Sequence, residues 1–388
     1  MERPHSTASE FVRIFSHIGD PVPAPDHSVF WKHWFAKLVE QTPVLERRAI
    51  KDSSDPTATH EFLSMGNTRI GARLILPQTG KQVAASLVTV HGDYTPDPLE
   101  VNARRWQHVA DRGVAVLLIR LRGFPGSQAD TGDLTNETNP GDAWITRGFT
   151  STSNDDWILP QAVADVSNAC RIMRNALIHR DTDTDIDVDP SVEHPGVYLH
   201  GSSLGGGLAV ISAAQLIGKI RGESIVNRLA IATPSLGDWP SRFDRPSGTA
   251  ADIKRVIDAN PDRFDELMER LKLCDAVVHG RKVHIPTYAM LAHNDAVVAP
   301  ACAAGVYNSI DADPGRKWRF LIQHGHHTGD TNNNRRIALY ARSLADFFDP
   351  YNTPIASMRD WEQLMHAGLN PPPHVQSSEI NNDTSPEA

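Results

Sequence analysis

A serine hydroxyl attacks an acyl carbonyl only when a base takes its proton and an acid holds that base in one tautomer. Ser203 is placed for such a role. It lies in Gly201-Ser202-Ser203-Leu204-Gly205, after the apolar run 196–199 and before the helix-like run 208–216. A strand, a glycine-rich turn and a helix form a strained elbow that presents its central side chain. Gly201 and Gly205 must then be small, because the start of the helix presses against the strand. The competing reading, a βα turn in which Ser203 only caps the helix, requires no partners later in the chain.

Those partners are present. Residues 285–292 and 318–323 read as late strands, the first running into His293-Asn294-Asp295 and the second into His324-Gly325-His326-His327. In parallel-sheet hydrolases the acid and then the base follow the serine in chain order. Asp295 is thus the candidate acid, its plainer alternative being a cap for the helix that Pro300 opens. His326 is the candidate base. His324 is still aligned with the strand, His327 comes one residue late, and Gly325 frees the backbone to turn.

The oxyanion of a tetrahedral intermediate needs two donors. Leu204 N–H at the helix start is one, and the loop His91-Gly92-Asp93-Tyr94 supplies the other, assigned to Asp93 N–H. A carboxylate beside a developing oxyanion opposes it, so the Asp93 side chain must point away, or Tyr94 is the donor. Tyr94, Phe124 and Pro234 are the candidate substrate contacts.

The elements around these residues alternate. A helix is expected over 28–41, a hairpin from 61–64 and 69–77 around Gly66-Asn67, and strands over 85–90 and 114–121 with a helix over 101–111 between them. A loop rich in Gly, Thr, Asn and Asp fills 122–154 and is read as a rim of the site. A long helix spans 155–177, with Ser153 and Asn154 as caps. A strand at 228–233 precedes a polar excursion over 237–280, read as a second part of the rim, with helices at 251–259 and 263–273. Helices at 300–308 and 335–348 close the pattern. Fully apolar strands alternating with helices specify an α/β fold, an eight-stranded mostly parallel sheet with helices on both faces. The organisation expected is an N-terminal extension (1–27), one domain (28–350) and a C-terminal helix with a disordered tail (351–388).

Composition narrows the class further. The 388 residues are 40% hydrophobic and 22% charged, with a net charge of -9 and no basic run, which argues against a nucleic-acid partner. The start of the chain lacks the order of a secretory leader and no long uncharged apolar run follows, so a cytoplasmic protein without membrane attachment is expected. Cys170, Cys274 and Cys302 lack metal-ligand spacing and read as buried apolar residues. The acidic run 181–189 fails as a calcium loop because Ile186 and Val192 occupy the positions that need Gly and Glu. It reads as a solvated loop.

Taken together, several residues resemble the acetyl xylan esterase and cephalosporin C deacetylase family of carbohydrate esterases, which are α/β-hydrolases. The marks are Phe30-Trp31, His91-Gly92 with Tyr94, Arg122-Gly123, Thr146-Arg147-Gly148, Val188-Asp189-Pro190, Gly201-Ser202-Ser203-Leu204-Gly205-Gly206, Asp295 and Gly325-His326. The resemblance runs from about Phe30 to about Phe348. It implies Ser203 as nucleophile, Asp295 as acid and His326 as base, with hydrolysis of small acyl esters, mainly acetyl groups on sugars. It also implies no cofactor, no metal and, in many members, a ring-shaped homo-oligomer. The chain departs from the family at Leu204, where Gln is usual, at Phe124 (Gln), at Asp93 (Tyr) and at His327 (Glu). Arg122 and Arg147 could grip a substrate carboxylate, but structural ion pairs under the rim are the stronger expectation.

Overall fold

The computed structural model describes residues 8–48, 57–93, 97, 99–127, 143–179, 186–217, 224–325 and 331–366. Its framework is a sheet of nine strands: β1 (Glu46–Arg47), β2 (His60–Ser64), β3 (Thr68–Ile75), β4 (Ala85–Val90), β5 (Val114–Ile119), β6 (Gly196–Ser202), β7 (Val226–Ala232), β8 (Thr287–Asn294) and β9 (Lys317–His324). Their order is β1-β2-β3-β5-β4-β6-β7-β8-β9. The first three strands pair antiparallel with their neighbours, and every pair from β5 to β9 is parallel. Nine strands replace the eight expected. The extra one, β1, is two exposed charged residues, and nothing in its pattern distinguishes it from a loop.

The apolar runs explain the layering. β4 and β5 are buried at all six positions each, so both faces need cover. On one face lie α1 (Ala8–Phe15), α2 (His27–Glu40), α4 (Ile158–His179), α5 (Leu204–Leu216) and α10 (Pro300–Ser309). The other carries α3 (Leu99–Ala110), α11 (Thr331–Phe347), α12 (Pro354–Arg359) and α13 (Glu362–His366), around Tyr198, Tyr288, Phe320 and Phe348. The hairpin turns where expected, with Gly66 (φ 75°) and Asn67 (φ 58°) both left-handed.

Three expectations are corrected. The N-terminal extension contains α1, whose Phe15 is 3% exposed and whose end is held by Asn308 Nδ2 donating to the Phe15 and His17 carbonyls. The excursion over 237–280 is less polar than its sequence suggests. Its helices α6 (Trp239–Phe243), α7 (Thr249–Asp258), α8 (Phe264–Leu273) and α9 (Ala276–Gly280) bury Ile253, Ile257, Leu267, Leu271 and Val277 in the main core. The long helix starts at Ile158, and Ser153 caps a preceding 3-10 turn by accepting from Asp155 N–H. Of the rim loop, residues 128–142 lie outside the described residues, as does the expected tail. In the acidic run residues 181–185 lie outside the described residues; at the described end the backbone is anchored, with Val83 N–H bonded to Asp187 O and Asp189 N–H to Val83 O, while the Asp187 side chain is exposed. Among the described residues no helix is long and apolar enough to cross a membrane.

β4 sits at the point where the chain crosses first to β5 on one side and then back to β6 on the other. Ligands of open parallel sheets bind outside the strand C-termini at such a switch. The loops after β4 and β6 are those that carry Asp93 and Ser203.

Candidate active site

Ser203 stands between β6 and α5 with φ 54° and ψ -117°, outside the regions open to most side chains. The surrounding turn over-determines that geometry. Ser203 N–H donates to Ala232 O at 2.8 Å, and its carbonyl accepts from Gly207 N–H at 3.2 Å and Ser235 N–H at 3.0 Å. A Cβ on Gly201 would lie 2.0 Å from Gly205 O, and one on Gly205 would lie 2.4 Å from His91 O. Both flanking glycines are therefore steric requirements of the turn. Ser203 is 8% exposed.

Leu204 is the first residue of α5, so its N–H has no acceptor within the helix and lies at the positive end of the dipole. Across from it, the loop after β4 approaches so closely that a Cβ on Gly92 would sit 3.3 Å from Ser203 Cβ and 3.9 Å from Oγ. His91 fixes this loop. Leu121 N–H donates to His91 Nε2 at 3.1 Å, which leaves Nδ1 protonated and donating to Gly92 O at 2.6 Å. Pinning that carbonyl backwards turns the next N–H, that of Asp93, the opposite way. Burial pulls the His91 imidazole down to about 4, so it stays neutral in this arrangement. Asp93 is half-buried, and burial with the neighbouring Asp252 carboxylate pushes its carboxyl up to about 6. The opposition between a carboxylate and an oxyanion is weakened to that extent.

Asp295 follows β8 directly. Its Oδ1 accepts from Val297 N–H at 2.8 Å and Val298 N–H at 3.0 Å, while Oδ2 lies where a Cβ on Gly325 would be 2.0 Å away. Gly325 N–H is bonded to Asn294 O at 2.8 Å. The acid loop and the residue before His326 are thus in contact. Gly325 has no left-handed φ, so its role is not the freedom to turn that was expected but the space its missing side chain leaves for the carboxylate. His326, its rival His327 and Tyr94 lie outside the described residues.

The remaining candidates take other places. Phe124 is 8% exposed, with its ring 4.6 Å from His91 and 5.5 Å from Trp144, so it packs behind the loop after β4. Pro234 is buried against α5, since a Cβ on Gly206 would lie 3.0 Å from its Cα. Arg122 forms a buried ion pair with Asp165, Nη2 to Oδ1 at 2.7 Å, and also holds Met65 O. It is structural, as the stronger expectation had it. The three cysteines are free and buried.

Sequence reasoning missed the strained loop after β7. Thr233 (φ 40°), Leu236 (φ 67°) and Asp238 (φ 58°) join Ser203 among the described non-glycine residues with left-handed φ. Strain of this kind collects at functional sites. Only the Pro234 that interrupts the run hinted at it.

The described part of this constellation has the form of an acyl-transfer site. A family model for acetyl xylan esterase (AXE1) matches residues 19–344. Among solved structures, acetyl xylan esterase 1 from Thermoanaerobacterium sp. JW/SL YS485 is similar at a TM-score of 0.65 and 21% identity, over 86% of this chain and 98% of that one. The acetyl xylan esterase from Paenibacillus sp. R4 is similar at 0.65 and 18%, over 87% and 99%. At these identities the two structures speak for a shared α/β-hydrolase fold. A search of curated proteins finds no match. The family match covers most of the chain and takes in the elbow, the acid loop and the strand before the base, so the chain belongs to the acetyl xylan esterase family and is a serine carboxylic-ester hydrolase.

Proposed function

We propose that the protein removes small acyl groups, acetyl foremost, from hydroxyls of carbohydrates or related alcohols, with Ser203 as nucleophile, His326 as base and Asp295 as acid. Ser203 Oγ attacks the ester carbonyl as His326 takes its proton. The oxyanion is received by the N–H groups of Leu204 and Asp93, the alcohol leaves with the proton from His326, and water then clears the acyl-enzyme. No cofactor enters this reaction, and its setting is the cytoplasm.

The observation that carries this reading is the left-handed φ of Ser203 at the switch point of the sheet, so close to Gly92 that a Cβ there would lie 3.3 Å from Ser203 Cβ. A turn so strained and so closely fitted is unnecessary for a helix cap. The family supports acetyl as the acyl group.

The test is hydrolysis of p-nitrophenyl acetate through octanoate by the wild type and by Ser203→Ala, with acetylated xylo-oligosaccharide and 7-aminocephalosporanic acid as natural-type substrates. Preference for acetate, with Ser203→Ala inactive, is expected. Equal activity of the two proteins would overturn Ser203 as nucleophile. A wild type that prefers octanoate would overturn the acetyl assignment.

A further inference from the structure

Three polar side-chain atoms within residues 235–242 are fully buried and make no hydrogen bond: Ser235 Oγ, Trp239 Nε1 and Arg242 Nη1. Arg242 is the consequential one. It is 2% exposed, and an unbonded donor on a dehydrated guanidinium is costly. The same dehydration makes its field strong.

The turn that carries Arg242 is rigidly held. α6 is capped by Asp275, whose carboxylate accepts from Asp238 N–H at 3.1 Å and Trp239 N–H at 3.3 Å. His17 Nε2 is 2.6 Å from the Asp238 carboxylate at the same end. The guanidinium lies over the Trp239 ring, 5.2 Å from its centroid. Its other arm, Nη2, donates to Thr249 Oγ1 at 3.2 Å.

Thr249 leads to the acid loop. Just before it, Ser247 Oγ donates to Val297 O at 2.8 Å, and a Cβ on Gly248 would lie 2.9 Å from Val297 Cγ1. Val297 N–H is one of the two donors that hold Asp295 Oδ1. A continuous set of contacts therefore runs from Arg242 to Thr249, through the preceding Ser247 and Gly248 to Val297, and on to Asp295. The charge runs the same way: burial lowers the guanidinium below its ordinary value, and Cys302, Asp275 and Asp295 oppose that. Among the described residues Asp238, one helical turn before Arg242, is a further titratable group on this element.

We propose that Arg242 is a positioning residue for Asp295, bracing the acid loop through Thr249 and Val297 and supplying the countercharge that keeps the carboxylate ionised during turnover. This rests on Asp295 being the acid. The partner it acts on differs from that of Arg122, which pairs with Asp165 of α4.

The experiment compares full-length Arg242→Met, Arg242→Lys, Thr249→Val and Asp295→Asn in pH profiles of kcat and KM for p-nitrophenyl acetate. Arg242→Met is expected to lower kcat about tenfold or more, with KM within about twofold. Its acidic limb should move to higher pH by about half a unit, because losing a nearby positive charge lets the base protonate more readily. Arg242→Lys should restore most of that limb. Thr249→Val should lower kcat with the limb in place, and it is informative even where Arg242→Met does not fold. A limb unmoved in Arg242→Met while Asp295→Asn is inactive overturns the role of Arg242 alone. Arg242→Lys no better than Arg242→Met, or Thr249→Val with wild-type kcat, also overturns it. Asp295→Asn with wild-type activity overturns this proposal together with the reading it rests on.

Discussion

Replacing Gly325 by alanine probes the acid loop at its tightest contact. The new Cβ would lie 2.0 Å from Asp295 Oδ2, 2.7 Å from Cγ and 3.1 Å from Ala292 Cβ. Ordinary contact begins near 3.4 Å, so the carboxylate must retreat by about 1 Å or more. It cannot do so freely, because Oδ1 is held by two N–H groups at 2.8 and 3.0 Å. Breaking two charge-assisted bonds costs roughly 3–6 kcal/mol. A displacement near 1 Å in a catalytic group costs about 10²-fold in rate. We expect Gly325→Ala to lower kcat on p-nitrophenyl acetate by about that factor, with KM within a few-fold, and to lower the thermal midpoint by several degrees. Gly315→Ala is the control, since nothing lies within 4 Å of that Cβ. If Gly325→Ala matched the wild type in both kcat and thermal midpoint, the carboxylate would not be locked where we place it.

His200 should make the fold acid-sensitive. It is 7% exposed, bonded to Thr89 at 2.9 Å, and burial draws it from 6.5 to about 3. The unfolded chain therefore binds more protons between those values, so this contribution is complete above pH 6.5 and is lost as pH falls toward 3, on the order of 4 kcal/mol. Urea midpoints against pH should show that slope, and His200→Gln should flatten it. Arg122→Met leaves Asp165 buried without its cation, so stability in urea should drop by about 3–5 kcal/mol; a drop below about 1 kcal/mol would contradict a structural pair. His91→Ala removes both bonds that set the loop after β4, and kcat should fall about 10–100-fold with little change in KM. A rise in KM alone would contradict that role.

Much of this arrangement was legible before any coordinates. Continuous apolar runs marked the parallel strands, because a strand covered on both faces has no polar side to show. Glycine at 201 and 205 marked the elbow, because it tolerates no side chain at those positions. Short elements were not legible: β1 is two charged residues, and α1, although Phe11, Ile14 and Phe15 recur at helical spacing, spans only eight residues in a stretch passed over as an extension.

The sequence by itself determined which residues sit at the ends of β4, β6, β8 and β9, since hydrophobic period and turn chemistry are local. Only the tertiary structure decided what each does there. Gly325 was expected to turn the chain and instead makes room for Asp295. Phe124 packs its ring against His91, a contact its sequence position does not show. Arg242 sits in a stretch that reads as polar, and its link to the loop of Asp295 appears only when the turn before α7 packs on Val297, after β8. The physical reason is the same in each case. A side chain's neighbours across the sheet are remote in sequence, and close approach, dehydration and field strength depend on those neighbours.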